Sequence, residues 1–160
     1  CEVRMMVALL EEAELHHQKA FALNPNDPRV VAQRSELLTW LGRPVEGVDW
    51  ARQAMRLDPY DAAGRAHLLG RALYMARSYE DAIEAFKQVR VPRFSHHAEI
   101  AACYAQLGSE QKASLHAGKV LSLKPDFCIA DHVQGLPFKE SRDRDKYRDG
   151  FRKAGLPERA

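Results

Sequence analysis

Along this chain the residues suited to a helix core recur at spacings of three and four, in blocks separated by proline, glycine and aspartate. Val3, Met6, Val7, Leu10, Ala13, His17, Ala20 and Phe21 follow that spacing without an interrupting Gly or Pro, which predicts one helix over about residues 2–23. Asn24-Pro25-Asn26-Asp27-Pro28 ends it. The prolines bias the residues before them away from the helical region, and Asp27 stands where it can cap a new helix with Pro28 at its first position. Helices are then predicted at about 28–41 and 44–57 around Gly42-Arg43-Pro44, at 62–76 and 79–89 around Arg77-Ser78, and at 95–107 and 109–123 on either side of Gly108. A short helix at about 127–134 and a last one at 142–154 follow, ended by Gly135-Leu136-Pro137 and by Gly155.

The blocks repeat. Leu23-Asn24-Pro25 returns as Leu57-Asp58-Pro59, 34 residues on, and as Leu123-Lys124-Pro125, 66 residues further. A period near 34 means stacked helical hairpins, and loops this short make the two helices of a hairpin antiparallel neighbours. Within the second unit, Ala51 and Ala54 allow close approach while Val31 and Leu38 point into the same seam. The third unit departs from the ending, with Val91-Pro92-Arg93 in its place and the next repeat starting early. The organisation expected is a repeat array over 1–138, with hairpins at about 1–25, 28–59, 62–91 and 94–125 and a short helix at 127–135. Residues 139–160 form a capping helix and tail. That final helix sets Tyr147, Phe151 and Ala154 on one stripe, opposite Arg142, Asp143, Arg144, Asp145, Arg148, Asp149 and Arg152. The charged side reads as a solvated face, as do Glu11, Glu12 and Glu14, and the stripe reads as the cover for the open apolar end of a solenoid.

The period and endings, with Leu69-Gly70-x-x-Leu73 and Ala82-x-x-x-Phe86, resemble the tetratricopeptide repeat (TPR). The resemblance implies an all-α fold, a TPR-type α-α superhelix, in which the first helix of each hairpin lines a concave groove.

Composition narrows the function. The chain has 160 residues, 46% hydrophobic and 29% charged, with a net charge of +2 and both signs interspersed. No basic face able to neutralise many phosphates is evident, so nucleic acid is not expected as a partner. No apolar run approaches the ~20 residues that span a bilayer, and no signal peptide is recognisable. No membrane partner is expected either. Cys1, Cys103 and Cys128 are odd in number and lack a CxxC spacing, which fits a reducing cytoplasm. Cys1 opens the chain directly inside a helical pattern, so a fragment of a longer protein is expected.

Catalytic and metal chemistry find no support in the spacing. His16-His17 and His96-His97 are adjacent pairs, which point about 100° apart on a helix and cannot chelate one ion together. No nucleophile is assigned, and Gly42-Arg43-Pro44 lacks the Lys and Ser/Thr of a phosphate loop. No cofactor is expected. What remains is the groove face of the first helices, where Arg29, Gln33, Glu36, Trp40, His67, Arg71, Tyr74, Glu99 and Gln106 form the candidate surface for a protein or peptide ligand, or for self-association. Trp40, Arg71 and Tyr74 are types enriched at binding hot spots, while packing against the neighbouring hairpin is the alternative role for Trp40 and Tyr74. TPR proteins that hold chaperone C-terminal carboxylates use Lys, Asn and Arg on this face. Here Ala32, Glu36, Leu68, Ser95 and Glu99 stand there instead, which disfavours that partner.

Asn24-Pro25-Asn26-Asp27-Pro28, Gly42-Arg43-Pro44, Ala54-Met55-Arg56-Leu57-Asp58-Pro59, Ala102-Cys103-Tyr104-Ala105-Gln106-Leu107-Gly108 and Arg152-Lys153-Ala154-Gly155-Leu156-Pro157 carry a narrower likeness. With Leu136-Pro137-Phe138-Lys139 before a charged helix, they resemble the C-terminal TPR regions of bacterial, often rhizobial, class III adenylate/guanylate cyclases. This resemblance implies a regulatory module that follows a cyclase domain, with catalysis belonging to the parent and none to residues 1–160. The alternative is the TPR module of a transcriptional or secretion regulator.

Overall fold

The computed structural model describes residues 2–159; Cys1 and the side chains of Val3, Met6 and Val7 lie outside the described residues. In order, the chain forms α1 (Glu2–Leu23), α2 (Pro28–Trp40), α3 (Pro44–Leu57), a 3-10 turn at Pro59–Asp61, α4 (Ala62–Met75) and α5 (Tyr79–Lys87), then α6 (Phe94–Gln106), α7 (Glu110–Leu123), α8 (Ile129–Gln134) and α9 (Ser141–Lys153). Successive hairpins stack into an α-α superhelix of the TPR type, with α2, α4 and α6 adjacent along the inner face and α3, α5 and α7 paired behind them.

Local chemistry sets these boundaries. The Asp27 carboxylate accepts from the Arg29 backbone N–H at 2.8 Å, capping α2 beside Pro28 at its start. Each hairpin turn is made the same way. Gly42 has φ +81°, Arg77 +65° and Gly108 +73°. The N–H groups of Arg43, Ser78 and Ser109 reach back to the carbonyls of Leu38, Leu73 and Tyr104 at 2.8–2.9 Å. This left-handed ending satisfies carbonyls that the last helical turn would otherwise leave unpaired.

The expected seam is present: Val31, Leu38, Ala51 and Ala54 are all at most 1% exposed. Arg34 of α2 is held by an ion pair to Glu14 of α1 at 3.1 Å. Glu14 is therefore half-buried rather than part of a solvated face.

Two ends differ from the sequence expectation by two residues, the others by at most one. α5 stops at Lys87, not Val89, before Val91-Pro92. α8 starts at Ile129, not Phe127, because the N–H groups of Ile129 and Ala130 donate to the carbonyls of Pro157 and Glu158. The C-terminal tail thus fixes the start of α8. The largest departure concerns α9, which does not sit beyond the last hairpin alone. It lies along α6, with Tyr147 also meeting Tyr74 of α4 and Phe138, just before α9, meeting Trp40 of α2.

Candidate protein-binding face

The inner face is built from the first helices, whose 3.6-residue period returns Glu36 and Trp40 on α2, Arg71 and Tyr74 on α4, and Glu99 and Gln106 on α6 to one side. At its centre the Arg71 Nε–H donates to Glu99 Oε1 at 2.8 Å, and Arg71 Nη1 lies 3.6 Å from Glu36 Oε1. The same guanidinium sits over the Trp40 ring, 5.3 Å from its centroid. Glu99 is 1% exposed. Burial pushes its carboxyl pKa up, but the charge of Arg71 and the hydrogen bonds from Tyr147 and Arg71 outweigh burial and hold it below the ordinary value. Burial likewise opposes the Arg71 charge, and Glu99 more than offsets that, leaving the guanidinium firmly protonated. Arg71 is the cation of this face, and two carboxylates already hold it.

Much of the face carries the chain's own C-terminal segment. The Lys139 N–H donates to the Trp40 carbonyl at 3.0 Å, and the Phe138 ring meets Trp40 edge to face at 4.8 Å. Tyr147 donates its hydroxyl hydrogen to Glu99 Oε1 at 2.6 Å. Lys153 Nζ donates to Gln106 Oε1 at 3.1 Å. Between these contacts, an ideal Cβ on Gly150 would run into the Tyr74 hydroxyl oxygen and come within 3.0 Å of the Ala102 Cβ. Glu99 with Tyr147, Ala102 with Gly150 and Gln106 with Lys153 keep a nearly constant offset, so α9 runs parallel to α6. Phe151, fully buried, packs against Tyr147 and His132 at 4.8 and 5.4 Å between ring centroids.

The nine candidate residues thus part company. Trp40 and Tyr74 are each 4% exposed and do pack, Trp40 against Phe138 and Tyr74 against Tyr79 and Tyr147. Glu99, Arg71 and Gln106 are engaged by α9 or by one another. His67 is half-buried, with Nδ1 2.9 Å from the Gly64 carbonyl and its ring beside His96. Arg29 stands apart, forked onto the Asp27 carboxylate at the start of α2, where its hydrogen bonds lower the Asp27 pKa to about 2. Gln33 is exposed and Glu36, though paired with Arg71, is partly so; both line an apolar trough with Leu10, Ala13, His16 and Leu37 between α1 and α2.

Sequence reasoning left Phe138 and Gly150 out of the face. Gly150 did leave a signal: a glycine inside a charged helix, three residues after a tyrosine on the apolar stripe, marks close backbone approach. Asp143 also departs from the solvated reading. It is 8% exposed, its Oδ2 close to Gly42 at the α2–α3 turn, and Lys146 lies 3.5 Å from its Oδ1. The histidines pair across helices rather than within their adjacent doublets, His97 Nδ1 lying 3.2 Å from His116 Nδ1. Among the described residues no three His, Cys, Asp or Glu side chains come together as a metal site requires. No helix among them is long and apolar enough to cross a membrane.

No family profile matches the chain. A stretch of 71 residues, 44% of the chain, is 35% identical to Small glutamine-rich tetratricopeptide repeat-containing protein 2 of Mycosarcoma maydis. A stretch of 77 residues, 48% of the chain, is 30% identical to Hsp70-Hsp90 organizing protein 2 of Arabidopsis thaliana. The chain spans only 20% and 13% of the lengths of these relatives. Two crystal structures of MamA are similar in fold. One has a TM-score of 0.65 at 22% identity, over 91% of this chain and 86% of that one. The other has 0.63 at 19%, over 95% and 89%. The repeat similarity and the shared fold support a TPR domain.

Proposed function

We propose that this chain is a protein-interaction module that takes a protein or peptide ligand on its inner helix face, and that it has no catalytic role of its own. The observation that carries the reading is the inner face itself. Repeat packing consumes the backs of α2, α4 and α6 but leaves a continuous surface, on which the chain's own α9 lies, and an open trough beside Gln33 and Glu36. A carboxylate-terminated chaperone tail is disfavoured, because Glu36, Leu68 and Glu99 offer it no cation and Arg71 is already paired. The buried free thiols Cys103 and Cys128 support a reducing compartment, which we take to be the cytoplasm.

Whether the module belongs to a class III cyclase rests only on the sequence resemblance carried by those six stretches, of which Leu136-Pro137-Phe138-Lys139 is the most specific. We keep that as the parent, with a transcriptional or secretion regulator as the alternative. The coding sequence upstream of Cys1 decides between them.

The interaction reading is tested by selecting peptides from a display library on the immobilised full chain and measuring their Kd by calorimetry. Selected peptides should bind, and Gln33→Arg with Glu36→Lys should weaken at least one class of them about tenfold, or ~1.4 kcal/mol. A library that yields no binder, or only binders indifferent to every inner-face change, overturns the reading.

A further inference from the structure

The face over α4 and α6 already holds a helix, and how it holds it defines what fits. Four features of α9 are used there. The Tyr147 hydroxyl reaches a carboxylate that Arg71 fixes in place. Gly150 passes between the Tyr74 hydroxyl and Ala102, where any side chain would collide. Phe151 fills the aromatic cluster beside His132. Lys153 reaches Gln106 at the far end. Elsewhere α9 is charged: Arg142, Asp145, Lys146 and Arg152 are exposed, Arg144, Arg148 and Asp149 half-buried and Asp143 buried.

This interface is also less finished than the hairpins behind it. Between α2 and α3, Ser35 Oγ–H donates to the Gly47 carbonyl and Thr39 Oγ1–H to the Ser35 carbonyl, so those buried hydroxyls are satisfied. Around α9, Tyr74 Oη, Glu99 Oε2, His132 Nε2 and the Nε atoms of Arg144 and Arg148 are buried without a hydrogen-bond partner, against Arg34 Nη1 alone among the described atoms of α2 and α3. Each such atom carries a desolvation cost that a packed core avoids. Segments bound this way open at lower cost than the core they cover. The connection Gln134-Gly135-Leu136-Pro137, with Gly135 exposed, leaves α9 tethered rather than stacked as a further repeat.

We propose, building on the interaction-module reading, that the face over α4 and α6 is a docking site for an amphipathic partner helix with Tyr-x-x-Gly-Phe spacing, and that α9 is the resident occupant such a helix displaces. Glu99 selects the hydroxyl, Tyr74 and Ala102 select the glycine, and the aromatic cluster selects the phenylalanine. A tether supplies α9 at an effective concentration in the millimolar range, so a helix offered in trans is outcompeted until α9 is loosened.

Hydrogen exchange of the full wild-type chain gives the first test: α9 amides should exchange at least about tenfold faster than those of α4 and α6, which stay closed. Exchange of all three as one unit would make α9 a core element and overturn the proposal. The second test uses a fluorescent synthetic peptide of residues 138–158 against the wild-type chain and against the full chain carrying Gly150→Leu. The peptide should bind the variant at least about tenfold more tightly, because its groove is vacated. A peptide carrying the same Gly150→Leu change should bind neither. Equal binding to both chains, or none to the variant, overturns the proposal. If Gly150→Leu loses the helical hairpins by circular dichroism, Tyr147→Phe replaces it, with a gain of at least about threefold expected and no gain counting against. Should the peptide fail while selected library peptides still respond to Gln33 and Glu36, helix docking falls and the interaction module stands. Failure of both overturns the module reading itself.

Discussion

Tyr147 and Glu99, 48 residues apart, are joined by a 2.6 Å hydrogen bond in which the phenol donates to a carboxylate that Arg71 also holds. The bond links the C-terminal helix to the middle of the repeat array, and both partners are at most 1% exposed. Hydrogen bonds to charged groups are worth about 1.5–3 kcal/mol when one partner is removed. Tyr147→Phe keeps the ring and removes only that donor. Amide exchange in α9 should accelerate by about 10- to 100-fold, the same energy expressed as a rate, with α4 little changed. Unchanged α9 exchange would show that the bond contributes nothing to docking.

Lowering the pH acts on a second cross-helix pair. His97 and His116 face each other through their Nδ1 atoms at 3.2 Å, so one must donate and the other accept, and protonating the acceptor sets two N–H groups against each other. Burial pushes His116 down from 6.5 to about 4, with repulsion from Lys119, His97 and Lys87 adding to it. His97 moves the same way through burial and Lys119. The folded pKa lies below the unfolded one, so the unfolded chain binds more protons between them. The stability involved is present above pH 6.5 and is lost as pH falls toward 4. The urea midpoint should therefore drop between pH 7 and pH 5, and His116→Gln should flatten that drop. Burial raises the Glu99 pKa, but Arg71 and Tyr147 hold it below 4.5, so its contribution is kept above 4.5 and is lost only as pH falls further, outside the pH 7 to 5 comparison. Equal pH sensitivity in the variant would remove the pair as its source.

The helices were legible because their signals are local. Apolar spacing, the Asn24-Pro25-Asn26-Asp27-Pro28 break and the Gly42 and Gly108 turns all act within a few residues, and the observed ends of α2, α3, α4 and α7 agree with them to within one residue. The start of α8 was not legible, since Pro157 and Glu158 supply the acceptors that hold Ile129 and Ala130 out of the preceding turn. The inner face was legible for the same reason as the helices: Glu36, Trp40, Arg71, Tyr74 and Glu99 share it by period. That α9 returns to cover it was not, because a stripe such as Tyr147, Phe151 and Ala154 states that a surface is buried without naming what buries it. Only Gly150, read together with Ala102 and Tyr74, narrows that choice.

Gly70 and Phe86 supply a direct check on repeat packing. They belong to the two TPR-like motifs of the third hairpin, and a Cβ built on Gly70 would lie 2.8 Å from the Phe86 ring. Helix propensity favours Ala over Gly by about 1 kcal/mol, whereas overpacking a filled core costs about 1–3. Because Phe86 is 1% exposed and cannot swing away, the steric term should win. Gly70→Ala should lower the Tm, by about 2–4 °C for each kcal/mol lost. Gly118, in α7 with nothing within 4 Å of its Cβ position, is the control. Gly118→Ala should stabilise by about 0.5–1 kcal/mol. The same sign for both would show that propensity, not packing, governs the third hairpin.

Arg77 stands at the turn position that glycine occupies in the flanking hairpins. Its φ of +65° matches Gly42 at +81° and Gly108 at +73°, and the Ser78 N–H bond to the Leu73 carbonyl at 2.9 Å reproduces their geometry. A side chain in this region costs roughly 1–2 kcal/mol, while glycine adds about 0.4–1 kcal/mol of freedom to the unfolded chain. The difference favours glycine by up to about 1.6 kcal/mol. Arg77 is exposed, so its side chain contributes little packing to set against this. Arg77→Gly should raise the urea midpoint with the slope unchanged, which separates a gain in native stability from a change in the unfolded ensemble. A lower midpoint would mean that the Arg77 side chain contributes more to the third hairpin than its strained backbone takes away.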